Sequence, residues 1–254
     1  LFTLLFFTYL FFLSFPIQAK DNYPYSSIGD GKQGVSVALT LVDGITADPD
    51  GNVYISHRSQ NRIRKLNPNG IITTIAGNGI AGFSGDGGNA LDASLNFPAG
   101  LVFDRGNLYI ADRNNHRIRK IDINGIITTI AGVGMPGCCN DNGPAIEAPL
   151  NFPSDVDIDL EGNLFISDRS NNRIRKVNSN GIISTIAGLG KPGFGGDFGP
   201  ADKALLKYPF GISLDNKGSL FIADRGNNRV RKIDQQGVIT TIAGDGTHFF
   251  GGDY

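Results

Sequence analysis

Sixteen arginines and lysines recur along this chain at a fixed spacing and could form a ligand-binding surface. In each copy a polar turn carries one arginine, and the next strand carries two arginines and one lysine. The set is Arg58, Arg62, Arg64, Lys65, Arg113, Arg117, Arg119, Lys120, Arg169, Arg173, Arg175, Lys176, Arg225, Arg229, Arg231 and Lys232. A surface that concentrates positive charge can bind anionic glycans, phospholipids or nucleic acids.

Acidic residues recur with the same spacing and give these cations a second interpretation. An aspartate precedes the turn arginine in three copies, and another follows the first strand of every copy. These are Asp112, Asp168 and Asp224, and Asp48, Asp104, Asp159 and Asp215. Opposite charges in register within every repeat are typical of ion pairs and turn caps. The sequence therefore favours a structural role for the cations over a basic binding surface.

The glycine-rich segments suggest two further chemistries. Gly77-x-Gly79-x-x-Gly82 and its repeats match the dinucleotide fingerprint, but that fingerprint requires a helix beginning at the third glycine. Turn residues follow here, so no nucleotide cofactor is predicted. Ca²⁺ is an alternative cofactor for three linker aspartates, although single carboxylates beside glycine are more typical of turns. The three are Asp86, Asp141 and Asp197.

Departures from the repeat are better candidates for a unique site, because identical copies make identical surfaces. His57 stands where the other copies have Asp, His116 where they have Asn, and Asp155 where they have Gly. Cys138-Cys139 replaces Phe83-Ser84 and is interpreted as drift or as a source of intermolecular bonds, with a vicinal disulfide as the alternative. The three histidines occupy unrelated repeat positions, so no metal site is predicted.

The repeat itself predicts the elements that position these residues. NRIRK at 61–65 recurs, with small changes, at spacings of 55, 56 and 56 residues. In the second copy, β-forming runs at 100–104, 107–111, 117–122 and 126–131 are separated by turn residues, including a hairpin Asn-Gly. Four short antiparallel strands per repeat predict an all-β fold, a β-propeller. The predicted blades are 38–77, 97–132, 152–188 and 208–244, with glycine-rich linkers between them.

The composition and the N-terminal residues indicate which partners and which compartment to expect. The chain has 254 residues, 40% of them apolar, and a net charge of −1, which gives no reason to expect nucleic acid as a partner. An uncharged apolar run ending in Pro16-Ile17-Gln18-Ala19 predicts a secretory signal at 1–19. The alternative is an uncleaved anchor, the one case in which a membrane partner is expected. A secreted, extracellular or periplasmic protein is predicted.

GNLYIAD followed by R-x-N-N-R-I-R-K, together with I-I-T-T-I-A-G and a G-F-S-G-D-G-G linker, resembles the NHL repeat family. The resemblance is greatest to the long repeats of secreted bacterial proteins and teneurin-like ectodomains, and it covers residues 38–254. It implies a six-bladed propeller of which four blades are present, so the chain is expected to be a fragment. Within the segment 20–37, Tyr23–Gly31 is similar to Ser184–Gly190, the end of a fourth strand and the start of a linker. It is therefore predicted to complete the last blade and close the ring.

Blade topology places the strand 2–3 turns and the linkers at one rim, which is the candidate partner surface. Its candidate residues are Arg58, Arg113, Asn114, Arg169, Arg225, Asp86 and Asp197. We expect a non-catalytic scaffold that binds a protein or glycan ligand there. The alternative is a six-bladed lactonase- or lyase-like enzyme with a metal in its central channel and a site completed by further blades. Fold analogy alone does not decide between them.

Overall fold

Each predicted repeat folds into one antiparallel sheet. The structure, a computed structural model, describes residues 28–247. The predicted signal or anchor at 1–19 and the end of the last linker lie outside the described residues. Within the described part the sheets follow one another as blades, with the first strand innermost and the fourth outermost. This confirms the predicted fold class, an all-β propeller built from four-stranded antiparallel blades.

The strands of the four blades are as follows. Blade 1 contains β1 (Lys32–Gln33), β2 (Val42–Ala47), β3 (Val53–His57), β4 (Arg62–Leu66) and β5 (Ile71–Ala76). Blade 2 contains β6 (Pro98–Asp104), β7 (Asn107–Asp112), β8 (Arg117–Ile121) and β9 (Ile127–Ala131). Blade 3 contains β10 (Gly143–Pro144), β11 (Asp155–Ile158), β12 (Leu164–Asp168), β13 (Arg173–Val177) and β14 (Ile182–Ala187). Blade 4 contains β15 (Gly199–Pro200), β16 (Ile212–Leu214), β17 (Leu220–Asp224), β18 (Arg229–Ile233) and β19 (Val238–Ala243).

Single-turn 3-10 helices connect these strands at two places in each repeat. One kind lies between the second and third strands, and the other lies in the linker before each blade. They span Gly34–Ser36, Arg58–Gln60, Ala90–Asp92, Arg113–Asn115, Ala145–Glu147, Arg169–Asn171, Ala201–Lys203 and Arg225–Asn227.

The linkers contribute a short outer strand that the sequence did not predict. In blades 3 and 4, β10 and β15 pair with the fourth strand, Gly143 opposite Ile183 and Gly199 opposite Ile239. A linker therefore descends along the outer edge of the next blade, and its final residues return to the rim that carries the polar turns. There the backbone of Asn114 donates a hydrogen bond to Asn96 O at 3.0 Å.

The N-terminal segment follows the same path, in a register that differs from the predicted one. β1 pairs with β5, and Asp30 Oδ1 accepts a hydrogen bond from Arg64 at 2.8 Å. Asp197 Oδ1 accepts the equivalent bond from Arg231 at 2.7 Å in blade 4. Gly29–Gly31 therefore corresponds to the middle of a linker, so the predicted match to its start at 188–190 is wrong. Residues 23–27 of that segment lie outside the described residues.

Three apolar cores lie between successive blades, which explains why the strands carry apolar residues on both faces. The third and fourth strands of one blade pack against the linker and sheet of the next. Between blades 2 and 3, for example, Ile118 and Ala131 meet Leu150 and Ile166, and all four side chains are fully buried. The inner strands β2, β6, β11 and β16 contact one another in that order around the centre.

Candidate functional site

The four turn arginines are presented alike because their turns share one backbone conformation. Each arginine begins a single-turn 3-10 helix, and the residue after that helix is left-handed, with φ of 52° or 53°. Asn is favoured there because its short side chain tolerates this conformation. In blade 2 the turn is fixed by Asn115 Nδ2, which donates to Gly82 O and to Asp112 Oδ2, both at 2.7 Å. The repeated turn carries Arg58, Arg113, Arg169 and Arg225.

These four guanidinium groups lie close enough to repel one another. Burial lowers the pKa of Arg113, and the positive charges of Arg169, Arg58 and Arg225 lower it further. Burial followed by the charge of Arg225 likewise lowers the pKa of Arg169. The blades thus bring together four of the residues predicted for the partner surface. We call these four residues the arginine cluster.

The positive charge of the cluster is only partly neutralised. Asp43 Oδ2 lies 3.3 Å from Nη1 of Arg58. Between residues 28 and 247, no other carboxylate lies within ion-pair distance of a cluster guanidinium. The Nε atoms of Arg58, Arg113 and Arg169 are buried without a hydrogen-bond partner in the same part of the chain. A guanidinium group without a carboxylate partner favours an anionic ligand, which would bind through its remaining N–H groups.

Aromatic rings hold the guanidinium groups in place from one side. Arg113 and Arg225 both lie over the same ring, with their guanidinium carbons 5.9 Å and 5.4 Å from the centre of Phe210. Arg58 stacks 4.9 Å from the centre of Phe97. The Arg169 guanidinium of blade 3 lies 5.2 Å from the centre of the Tyr208 ring. Stacking orders a planar guanidinium while leaving its edge available to a ligand.

A cavity of about 280 Å³ opens next to the cluster at the start of the inner strands. Phe210 forms part of its wall and also carries Arg113 and Arg225. Asp43 lines the same cavity and pairs with Arg58. The arginine cluster and this cavity, which we call the central cavity, therefore lie side by side and form one candidate site.

Asp155, a departure from the repeat noted in the sequence, lies in the central cavity. Its oxygens accept hydrogen bonds from the backbone of Val156 at 2.9 Å and of Ile212 at 2.8 Å. Burial raises the pKa of Asp155 to about 7, against the lowering effect of those two bonds. A side chain at Gly100 would collide with this carboxylate, so a glycine opposite Asp155 is required. The cavity thus has carboxylates in its lining and the arginine cluster beside it. We call the part lined by Asp155 and Asp43 the floor of the cavity, and the part next to the arginine cluster its mouth.

The cavity contains a second variable position, which was not predicted from the sequence. Asp43, Ala99, Ser154 and Phe210 occupy equivalent places, just before the glycine or Asp155 of each repeat. Three of these four side chains line the cavity. The sequence does contain a signal for them, because this repeat position has a different residue type in every blade. Such a position allows four otherwise similar blades to form an asymmetric site.

Three other predicted partner residues have structural contacts of their own. Asn114 Nδ2 donates to Asn96 Oδ1 at 3.4 Å, beside the cluster. Asp86 pairs with the buried Arg119 at 2.7 Å, and Asp197 pairs with Arg231 at the same distance. Neither aspartate is among the charges that shift the pKa of Arg113 or of Arg169. The structure thus separates Asp86 and Asp197 from the cluster, and their role in binding stays a prediction.

Metal binding and membrane insertion each require a grouping of residues that can be looked for in the structure. In the part of the chain that the structure describes, no three His, Cys, Asp or Glu side chains are grouped so that they could hold a metal ion. None of the described helices has the length and apolar character needed to span a bilayer. Cys138 and Cys139 are joined in a vicinal disulfide, the alternative considered for this pair.

Family comparisons match two parts of the chain. Residues 190–251 match the teneurin NHL domain, and residues 95–121 match the NHL repeat. Teneurin-1 of Mus musculus is 31% identical over 241 residues, which cover 84% of this chain and 9% of teneurin-1. The chain thus spans less than a tenth of the length of that relative.

Solved structures share the fold at lower identity. An auxiliary nutrient binding protein from Bacteroides ovatus is 20% identical, with a TM-score of 0.60 over 82% of this chain and 50% of that one. Virginiamycin B lyase from Staphylococcus aureus is 19% identical, with a TM-score of 0.55 over 82% of this chain and 57% of that one. At this identity the likeness shows the propeller fold alone.

Proposed function

This chain belongs to the NHL repeat family, and from that premise we propose that it is a secreted, non-catalytic β-propeller that binds a protein or glycan ligand at its loop rim. The observation that carries the proposal is the arginine cluster. A rigid scaffold holds four cations together with one carboxylate beside them. The ligand group that fits such a place is anionic.

Repulsion within the cluster supports binding over a purely structural role. Assembling Arg113 among three like charges is unfavourable, and no core packing requires it, since the turns are held by Asn115 and its equivalents. By contrast, the fully buried arginines of the third strands each meet a carboxylate. A bound anion would give the cluster the negatively charged hydrogen-bond acceptor that the aspartates give to those buried arginines.

Secretion rests on two features of the chain. The apolar run at 1–19 is typical of a secretory signal. The disulfide between the adjacent cysteines belongs to an oxidising compartment. The non-catalytic assignment follows from the kind of site proposed, a set of fixed positive donors with no nucleophile and base in contact. Among the described contacts, none favours the alternative of a lactonase- or lyase-like reaction.

The proposal is tested with two polyanion probes, heparin as the glycan and poly-glutamate as the polypeptide. We expect the chain to bind at least one at low salt, with an affinity that falls as salt rises. Each charge-assisted hydrogen bond contributes about 1.5–3 kcal/mol. The double variant Arg113→Gln/Arg169→Gln should therefore bind the probe at least tenfold more weakly, as measured by surface plasmon resonance.

Arg105→Gln is the matched control, because Arg105 is an exposed arginine in the turn between β6 and β7, outside the cluster. It removes one positive charge without touching the site, so binding should change less than twofold. Equal losses in the control and the double variant, or full binding by the double variant, would contradict the proposal.

A further inference from the structure

Resting on the proposed function, we infer that the central cavity holds the terminal sugar acid of a glycan, a ring that carries one carboxylate and several hydroxyl groups. The carboxylate would face Arg113 and Arg225, and hydroxyl groups would donate to Asp155 and Asp43. A sugar acid would connect the two parts of the site, the carboxylates that line the cavity and the arginines that lie beside it.

The size of the cavity favours a single ring over a folded protein segment. Its volume of about 280 Å³ lies near the lower end of the roughly 300–1,000 Å³ typical of small-molecule sites. Residues of all four blades line it, and it lies beside the rim that carries the turn arginines, so we expect a ligand to enter from the rim, end first. The end of a glycan chain has that shape, whereas a protein loop would have to enter as a doubled chain.

The floor of the cavity requires hydrogen-bond donors. Each oxygen of Asp155 accepts one backbone N–H, and a carboxylate oxygen has a second lone pair available. In Asp43, Oδ2 pairs with Arg58, and Oδ1 has no partner among residues 28–247. An acidic peptide side chain offers no donor to such a floor. Sugar hydroxyl groups do.

The mouth of the cavity requires an anion. Phe210 lines the cavity and its ring also contacts Arg113 and Arg225, so these two guanidinium groups lie one side chain away from the cavity. Their planar, bidentate donors match a carboxylate. A sugar acid has an anion on one side of its ring and hydroxyl groups on the other. It therefore satisfies the mouth and the floor together.

The test uses the whole chain and three probes of similar size in isothermal titration calorimetry at pH 8, where the Asp155 carboxyl is mainly ionised. The probes are glucuronate, glucose, which lacks the carboxylate, and glutarate, which lacks the hydroxyl groups. Glucuronate should bind at least tenfold more tightly than either of the other two. Equal binding of glutarate and glucuronate would overturn the inference.

Asp155→Asn is the diagnostic variant, and it should weaken glucuronate binding about tenfold. Asp157→Asn is its matched control, because Asp157 Oδ2 also accepts a hydrogen bond from the neighbouring inner strand, from Leu214 N at 2.7 Å, but lies outside the cavity. The control should leave glucuronate binding unchanged. Asp155→Gly, which restores the residue of the other three repeats, should give the same loss as Asp155→Asn and guards against a folding defect.

The outcomes separate this inference from the proposed function. Heparin or poly-glutamate binding that depends on Arg113, with no preference for glucuronate, would overturn the sugar-acid inference and leave the anion-binding rim in place. Poly-glutamate binding that is indifferent to Asp155 would do the same and identify an acidic protein as the ligand. If binding of the probes depended on neither Arg113 nor Asp155, both the sugar-acid inference and the proposed function would be overturned.

Discussion

Single residues that break the repeat preserve its hydrogen bonds in two cases. His116 Nδ1 accepts a hydrogen bond from the backbone of Phe152 at 3.1 Å, where Asn172 Oδ1 accepts from Tyr208 at 2.9 Å in the next blade. His57 Nε2 similarly accepts from the backbone of Thr40 at 3.1 Å. The sequence marks both histidines as exceptions, but only coordinates reveal that an imidazole nitrogen replaces an oxygen acceptor.

The histidine at 116 predicts an acid-sensitive fold. Burial lowers the pKa of His116 below its ordinary value of 6.5, and Nδ1 can accept the Phe152 N–H only while it carries no proton. As the pH falls below about 6.5, the unfolded chain takes up a proton that the folded chain does not, so stability is lost. His116→Asn should lose less stability than the parent between pH 7.5 and pH 5, as measured by urea denaturation. Identical losses in the parent and the variant would contradict the assignment.

Some residues of the candidate site were predicted from the sequence, and others were not. The turn arginines were identified from their spacing, because one rigid turn recurs in every blade. The contribution of Asp43 and Phe210 was not, since a repeat comparison aligns residues but does not show which aligned position faces the centre. Asp155 was recognised as an exception, and its neighbour in the cavity, Ser154, was not.

At the scale of elements, the buried arginine of the third strand connects three pieces of each blade. Arg119 is fully buried, with Asp112 of the second strand at 3.3 Å and the linker Asp86 at 2.7 Å. The pairing favoured by the sequence is thus confirmed for these arginines, though not for those of the cluster. Blade 1 differs, because His57 replaces the second-strand aspartate and Arg64 pairs with Asp30 alone.

This difference predicts two unequal results for the same substitution. Arg119→Met leaves the fully buried Asp112 carboxylate unpaired and should destabilise the chain by about 3–5 kcal/mol. Arg64→Met leaves Asp30, whose side chain is 40% exposed, and removes two guanidinium nitrogens that lack partners among the described residues. It should cost less than about 1 kcal/mol, because no buried charge is left without a partner. Urea denaturation measures both, and equal losses would contradict the argument.

The predictable elements are those with a strong local signal. Hairpin turns such as Asn124-Gly125, where Gly125 has a φ of +76°, and the alternating strands beside them were identified from residue types alone. The short outer strands β10 and β15 were not, because a Gly-Pro pair has no strand propensity. They form because the preceding linker runs along a sheet edge, which is a tertiary cause. The register of Gly29–Gly31 was misassigned for the same reason.

At the scale of the whole molecule, stability is expected to be distributed over the contacts between neighbouring blades. Repeat architectures are stabilised approximately as a sum of unit and nearest-neighbour terms. Ala76, Ala131 and Ala187, at the end of the fourth strand, are fully buried beneath the next blade. Ala243 ends β19 at the equivalent position and is exposed in the described part of the chain. The same repeat position is therefore covered by a neighbouring blade in blades 1 to 3 and exposed in the described part of blade 4.

The same enlargement at two such positions tests this picture. Ala187→Leu inserts a larger side chain into the core between blades 3 and 4 and should destabilise the chain by about 1–3 kcal/mol, since overpacking forces neighbouring side chains from their rotamers. Ala243→Leu adds the same atoms to an exposed face and should change stability by less than about 0.5 kcal/mol. Urea denaturation of both variants decides the matter. A large loss at Ala243 would mean that another surface covers blade 4 in solution, and a small loss at Ala187 would mean that the blades do not stack tightly.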